Sequence, residues 1–232
     1  LILVSEKTNN PFYLLAKKME LFHVEHKNYI GGRYSVLSEV GVIPSYLMGV
    51  NINKLRLNLL GCLAGKGKTL LKKSIINLAI LMKSKKINNL IFLNYFPELE
   101  KFLYWCQQLI AESLGKKNQG FLPLISNAPK DHHSLLQLYL DGPKNNFFTF
   151  FSTQNLKSDK INNKFLYKSH NYLRNKSFAK IIYAQKIATQ KVFYKKKSCF
   201  KKENKINPII GKIRAMRIPR FGLSKFHNKN FR

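Results

Sequence analysis

The chain has 232 residues, 45% of them hydrophobic, and carries 41 Lys+Arg against 11 Asp+Glu for a formal net charge of +30 at pH 7. That length holds one good core or two small ones. The three cysteines, Cys62, Cys106 and Cys199, have no CxxC spacing, which argues against zinc and for a reducing, cytoplasmic setting. No cleavable signal is evident, and no apolar run approaches the roughly 20 residues that span a bilayer.

The charge is uneven. Residues 1–150 hold 19 Lys+Arg against 9 Asp+Glu, whereas residues 151–232 hold 22 against 2. Such a surplus invites a nucleic-acid reading. No zinc site, helix-turn-helix or aromatic RNA-binding strand accompanies it, and the abundance of Lys, Asn and Ile is what biased base composition produces, so nucleic-acid binding is disfavoured.

In chain order, LILVS starts a strand over 1–4, and Asn10 followed by Pro11 caps and starts a helix to about residue 20. Residues 22–25 form a second strand, which makes a βαβ unit. The turn Gly31-Gly32-Arg33-Tyr34-Ser35 follows, with paired glycines that permit close backbone approach. Residues 35–50 read as an apolar helical stretch interrupted by Pro44.

Residues 61–69, GCLAGKGKT, imitate a phosphate-binding loop. That loop requires glycine five positions before Gly67, where Cys62 stands, and a strand before it, where the sequence is helical. The stretch reads as a basic turn between helices. From 68 to 85, Leu71, Ile75, Leu78, Ala79 and Met82 recur with the spacing of a helix with one buried stripe. Residues 89–95 form a buried strand.

Pro97, with Glu98 and Glu100 behind it, opens a helix that Gly115 closes, over about 97–114. Gln108 and Glu112 stand one turn apart on one face of it. Glu112 falls in the last turn, where the negative end of the helix dipole disfavours a second negative charge, a setting that suits a general base. After a polar loop, Asp131 serves as N-cap for a second helix that Gly142 and Pro143 stop, with His133 in its first turn. Catalytic groups are therefore expected near the ends of strand–helix units, where open α/β sheets place ligands. On residue type alone, Glu112, His132, His133 and Arg33 fit solvated surface positions as well as catalytic ones.

FFTFF reads as another strand, 154–176 as polar basic loop, and 177–195 as a helix bearing Phe178, Ile181, Ile182, Ile187, Ala188 and Val192. The last 35 residues hold 10 Lys+Arg and one acid without periodicity.

AESLGK, PKDHHSLLQLYLDGP and, upstream, YIGGRYSVLSEVG together resemble the glucose-6-phosphate isomerases in their shorter bacterial form. The resemblance implies an aldose–ketose isomerase that interconverts glucose 6-phosphate and fructose 6-phosphate through a cis-enediolate, with no metal, nicotinamide or flavin. It gives Glu112 the part of the base, Gln108 its amide neighbour, His133 ring opening, and Arg33, within the substrate-binding Gly31-Gly32 turn, the cation for the enediolate. It also implies a homodimer in which His133 serves the neighbouring subunit's Glu112.

The implied fold is an incomplete three-layer αβα sandwich of the sugar-isomerase (SIS) type. Residues 1–50 would end one SIS domain, 51–197 would form most of a second, and 198–232 would be a divergent basic tail, read as a reading-frame change or a truncated copy, with a genuine tail that touches RNA as the alternative. The family's phosphate loop would lie before Leu1, and its C-terminal lysine block has no counterpart after Lys197. The chain, which begins on Leu1, is therefore expected to be a segment of something longer and a poor catalyst alone. Two other readings stand beside this one: a phosphosugar-binding module without catalysis, and a basic nucleic-acid binder.

Overall fold

Asn10 starts the first helix as expected, its side-chain oxygen accepting the Tyr13 N–H at 2.9 Å. The computed structural model describes residues 1–57, 59–153 and 158–196, apart from the side chains of Cys62 and Phe165. The basic tail expected over 198–232 lies outside these residues. Two compact units divide the described chain, Leu1–Lys68 and the residues from Thr69 onward.

In the first unit, β1 (Ile2–Ser5), α1 (Pro11–Lys18) and β2 (Phe22–Glu25) form the βαβ unit that the sequence predicts. The strands are parallel, with Ile2 opposite Phe22 and Ser5 opposite Glu25. Ala16 of α1 is buried, at 2% exposure.

The helical stretch expected over 35–50 is split. Gly32–Leu37 forms a 3-10 turn, Ser38 is extended, and α2 (Glu39–Leu47) starts afresh. Pro44 sits inside α2, where it has no N–H to give; the Ser45 hydroxyl donates to the Gly41 carbonyl at 2.7 Å. Short helices α3 (Ile52–Leu57) and α4 (Leu59–Leu63) lead to α5 (Gly65–Ser84). A helix rather than a strand thus precedes the GKGKT residues, and those residues lie in the first turn of α5, against the phosphate-loop reading.

The second unit contains β3 (Asn89–Asn94), α6 (Glu100–Leu114), β4 (Leu122–Asn127), α7 (His132–Asp141), β5 (Asn146–Phe151) and α8 (Phe178–Lys195). Its strands are all parallel in the order β4-β3-β5. Alternation along β3 sends Leu90 and Phe92 to one face and Ile91, Leu93 and Tyr95 to the other. On the first face they pack with Leu81 and Met82 of α5 and Leu103, Cys106 and Ile110 of α6. On the second they pack with Leu135, Leu136, Tyr139 and Leu140 of α7, Phe148 of β5, and Ile182 and Phe193 of α8. Helices on both faces of a parallel sheet give the α/β, three-layer arrangement expected.

Two details differ from the expectation. The segment joining α6 to α7 contains β4 rather than loop alone. Its strand is masked in sequence by Pro123 and by polar Ser126 and Asn127. Proline is tolerated because β4 pairs with β3 alone among the described residues, so one side of its backbone needs no donor. The apolar stripe of α5 is buried only at its end: Leu71, Ile75 and Ala79 are exposed, Leu78 and Met82 half-buried, and Leu81 buried, because only the last turns of this helix reach the sheet.

Candidate functional site

Gln108 and Glu112 lie on the exposed face of α6, and the Gln108 side-chain amide donates to Glu112 Oε1 at 2.9 Å. The buried face of α6 is fixed by Leu103, which is fully buried, and by Gln107, which donates to the Pro123 carbonyl of β4 at 2.7 Å. With one face anchored in this way, residues 108 and 112 turn outward together.

α6 runs back against the strands it connects, so its last turn returns to their amino ends. Glu112 therefore stands at the end of the sheet opposite the carboxyl ends where open α/β sheets place ligands, contrary to the expectation for its position. A shallow hollow of about 160 Å³ lies at this same amino end, lined by Met82, Lys85, Ile87, Asn88, Asn118, Gln119 and Gly120. Lys117 and Asn118, just after α6, adopt left-handed backbone, with φ of 53° and 57°. Gly120 has φ 123°, and a Cβ on it would stand 3.1 Å from the Leu114 carbonyl oxygen.

His133 stands at the other end, in the first turn of α7 just beyond the carboxyl end of β4, and is exposed. Asp131 does not cap α7 with its side chain. Its backbone is already helical, and its carboxylate turns back to accept the Asn127 N–H at 2.7 Å. Glu112 and His133 of one chain are not brought together.

The carboxyl ends of the strands hold a polar network that sequence reasoning missed. Asn94, buried at 2% exposure, donates to Asn127 Oδ1 at 3.1 Å, and Asn127 donates to Glu100 at 2.7 Å. On the opposite face, the Tyr95 hydroxyl and His132 Nε2 are 2.7 Å apart. Burial pushes the Tyr95 hydroxyl up to about 12 and pulls His132 below its ordinary value. Both are thus held neutral, with Tyr95 donating and Nε2 accepting. Lys186 of α8 donates to the Ser152 hydroxyl at 2.9 Å and lies 4.7 Å from the Tyr183 ring; burial lowers its pKa. The doubled histidine was the available signal: of the two, His132 is the half-buried one.

The glycine-rich turn belongs to the first unit and is described by itself. Gly31 and Gly32 are exposed and Arg33 is half-buried, its guanidinium 5.8 Å from the Tyr34 ring centre. Neither glycine has positive φ, and a Cβ on Gly32 would meet nothing within 4 Å. The fold itself leaves this position open. Among the described residues no group of three or more His, Cys, Asp or Glu side chains is placed to hold a metal ion, and no helix is long and apolar enough to cross a membrane.

No family model matches the chain. It is similar to the glucose-6-phosphate isomerase of Methanocaldococcus jannaschii, at 35% identity over 143 residues, 56% of this chain and 33% of that protein. A probable glucose-6-phosphate isomerase of Methanococcus maripaludis is 30% identical over 182 residues, 76% of this chain and 40% of that protein. The glucose-6-phosphate isomerase of Mycoplasma capricolum is 30% identical over 197 residues, 78% of this chain and 44% of that protein. The chain spans between a third and less than half of the length of these curated relatives. Its fold matches a crystal structure of a hypothetical protein from Thermus thermophilus, with a TM-score of 0.76 at 23% identity, over 86% of this chain and 50% of that one.

Proposed function

We propose that the chain carries part of the machinery of a glucose-6-phosphate isomerase, with Glu112 moving the proton between C1 and C2 of a phosphorylated hexose. The observation that supports this best is the outward-facing Gln108–Glu112 pair, 2.9 Å apart. It lies in a segment whose sequence resembles the isomerases, at the same end of the sheet as a polar hollow.

The chemistry follows from the groups. A carboxylate removes the proton next to the carbonyl of the open-chain ketose, leaving an enediolate, and returns it to the neighbouring carbon. The amide beside it fixes the carboxylate by hydrogen bonding. Arg33 is assigned the fixed cation for the enediolate oxygen, and His133 the ring-opening proton transfer, on the resemblance. The substrate class is a phosphosugar. Because Glu112 and His133 of one chain stand at opposite ends of the sheet, the reading includes a homodimer in which His133 serves another copy's Glu112.

The test is interconversion of fructose 6-phosphate and glucose 6-phosphate by the purified 232-residue chain. The described residues include neither a phosphate loop nor a ring-opening lysine, so slow conversion is expected, and Glu112→Gln lowers it by about 10²-fold or more. Conversion unaffected by Glu112→Gln removes the assignment. A phosphosugar that stabilises the fold without being converted favours a non-catalytic binding module instead.

A further inference from the structure

His26, at the foot of β2, meets two acceptors at once. Its Nε2 lies 2.9 Å from the Ile30 carbonyl and its Nδ1 is hydrogen-bonded to Glu39, thirteen residues along the chain. A carbonyl and an ionised carboxylate only accept, so both bonds are made at once only by the imidazolium, which brings a hydrogen on each ring nitrogen. The pair is half-buried, with side chains 16% and 22% exposed. Glu39 sits in the first turn of α2, where the positive end of the helix dipole favours its charge.

What these bonds enclose is the glycine-rich turn. Ile30 immediately precedes Gly31, and Glu39 follows the 3-10 turn that contains Arg33. Inside the enclosure the Tyr34 N–H donates to the Gly31 carbonyl at 2.8 Å, the Ser35 hydroxyl to the Gly32 carbonyl at 2.7 Å, and the Ser38 N–H to the Ser35 carbonyl at 2.9 Å. The turn also presses on α2: a Cβ on Gly41 would fall 2.0 Å from the Val36 carbonyl oxygen.

We propose that His26 is a positioning residue for Arg33: its imidazolium clasps both ends of the turn, so that Arg33 is held ready for an anionic oxygen only while His26 carries both protons. This rests on the reading of Arg33 as the enediolate's cation and adds a pH dependence to it. The charged groups around His26 are Glu39 from α2, Glu6 after β1, and its neighbour Lys27, which pairs with Glu25 at 2.8 Å.

The hydrogen bond to Glu39 raises the His26 pKa above its ordinary 6.5, and Glu39 is lowered from 4.5 by its own backbone N–H and then by His26. The histidine's contribution is complete below 6.5 and is lost as pH rises through its raised pKa. The carboxylate's is complete above 4.5 and is lost as pH falls through its lowered one. The clasp is therefore whole between these two values.

The test is amide exchange and ring titration by NMR on the 232-residue chain, in wild type, His26→Gln and Glu39→Gln, from about pH 5 to about 9. After correction for intrinsic rates, His26→Gln should speed exchange at Tyr34 and Ser38 about tenfold or more at the acid end and leave the β1–β2 ladder unchanged. Wild type should reach the same rates as pH rises through the His26 pKa. Should His26→Gln also loosen the ladder, Glu39→Gln, which keeps the Ile30 bond, must still speed exchange at Tyr34 and Ser38. Equal protection of these amides in wild type and both variants at every pH, or a His26 titration below 6.5, overturns the clasp. Adding fructose 6-phosphate separates the two readings. A response at the Arg33 side chain that weakens with the amide protection supports the proposal, and the same response in His26→Gln as in wild type overturns it. No response in wild type at any pH overturns the Arg33 reading, while the amides still decide the clasp.

Discussion

Glu112 and His133 stand at opposite ends and on opposite faces of one sheet: α6 packs on the Leu90 and Phe92 face and ends at the strands' amino ends, while α7 packs on the Ile91 and Leu93 face and begins at their carboxyl ends. A six-residue strand is about 20 Å long, so one hexose cannot touch both residues of one chain. If both act on one substrate, they come from two copies. Glu112→Gln and His133→Gln should each lower hexose phosphate conversion by about 10²- to 10⁴-fold. Mixing the two variants under conditions that exchange subunits should restore part of the activity, since one site of each mixed dimer is intact. A steady-state assay of the mixture checks this; no recovery would place both residues in one chain's site or remove His133 from the reaction.

His132 carries a pH dependence of the opposite sign to His26. Burial lowers its pKa in the folded chain, so the unfolded chain takes up a proton first as pH falls below 6.5, and stability drops until the lowered pKa is passed. Thermal melting should show this loss on acidification, and His132→Leu should flatten it. A wild-type midpoint that does not fall below pH 6.5, or an unchanged slope in the variant, would contradict the assignment.

Leu103 is sealed between α6 and the sheet, at 0% exposure. Leu103→Ala should cost about 2–5 kcal/mol, as large-to-small changes in a packed core do. Urea denaturation followed by tryptophan fluorescence reads this directly, because Trp105 lies two residues away on the same helix.

Gly120, between Glu112's helix and β4, combines φ 123° with a tight fit, since a Cβ would stand 3.1 Å from the Leu114 carbonyl oxygen. Gly120→Ala should destabilise the second unit by more than about 1 kcal/mol. Because the loop follows the last turn of α6, proton transfer should slow as well. Parallel melts and rate measurements on this variant test both parts.

The sequence made legible whatever local chemistry decides. Asn10 and Pro11 start α1, Ser177 starts α8 by accepting the Lys180 N–H, and the four-residue spacing of Gln108 and Glu112 became a hydrogen bond. It concealed what neighbours decide. β4 was hidden because its side without a partner among the described residues tolerates Pro123, and its inward Ser126 is polar. Asp131 looked like a cap until the preceding turn claimed its carboxylate. The end of the sheet on which Glu112 falls follows from the direction of α6, which no residue of α6 encodes. The Tyr95–His132 and Lys186–Ser152 pairs join residues 37 and 34 positions apart and emerge only when the strands align.

The measurement that tests the central claim most directly is solvent-deuteron incorporation at C1 of fructose 6-phosphate in heavy water. The open-chain ketose forms without enzymatic ring opening, so the measurement isolates the proton transfer assigned to Glu112. Slow incorporation by the wild-type chain, reduced about 10²-fold or more in Glu112→Gln, is the predicted result. No incorporation by wild type, or equal incorporation by the variant, would contradict Glu112 as the base.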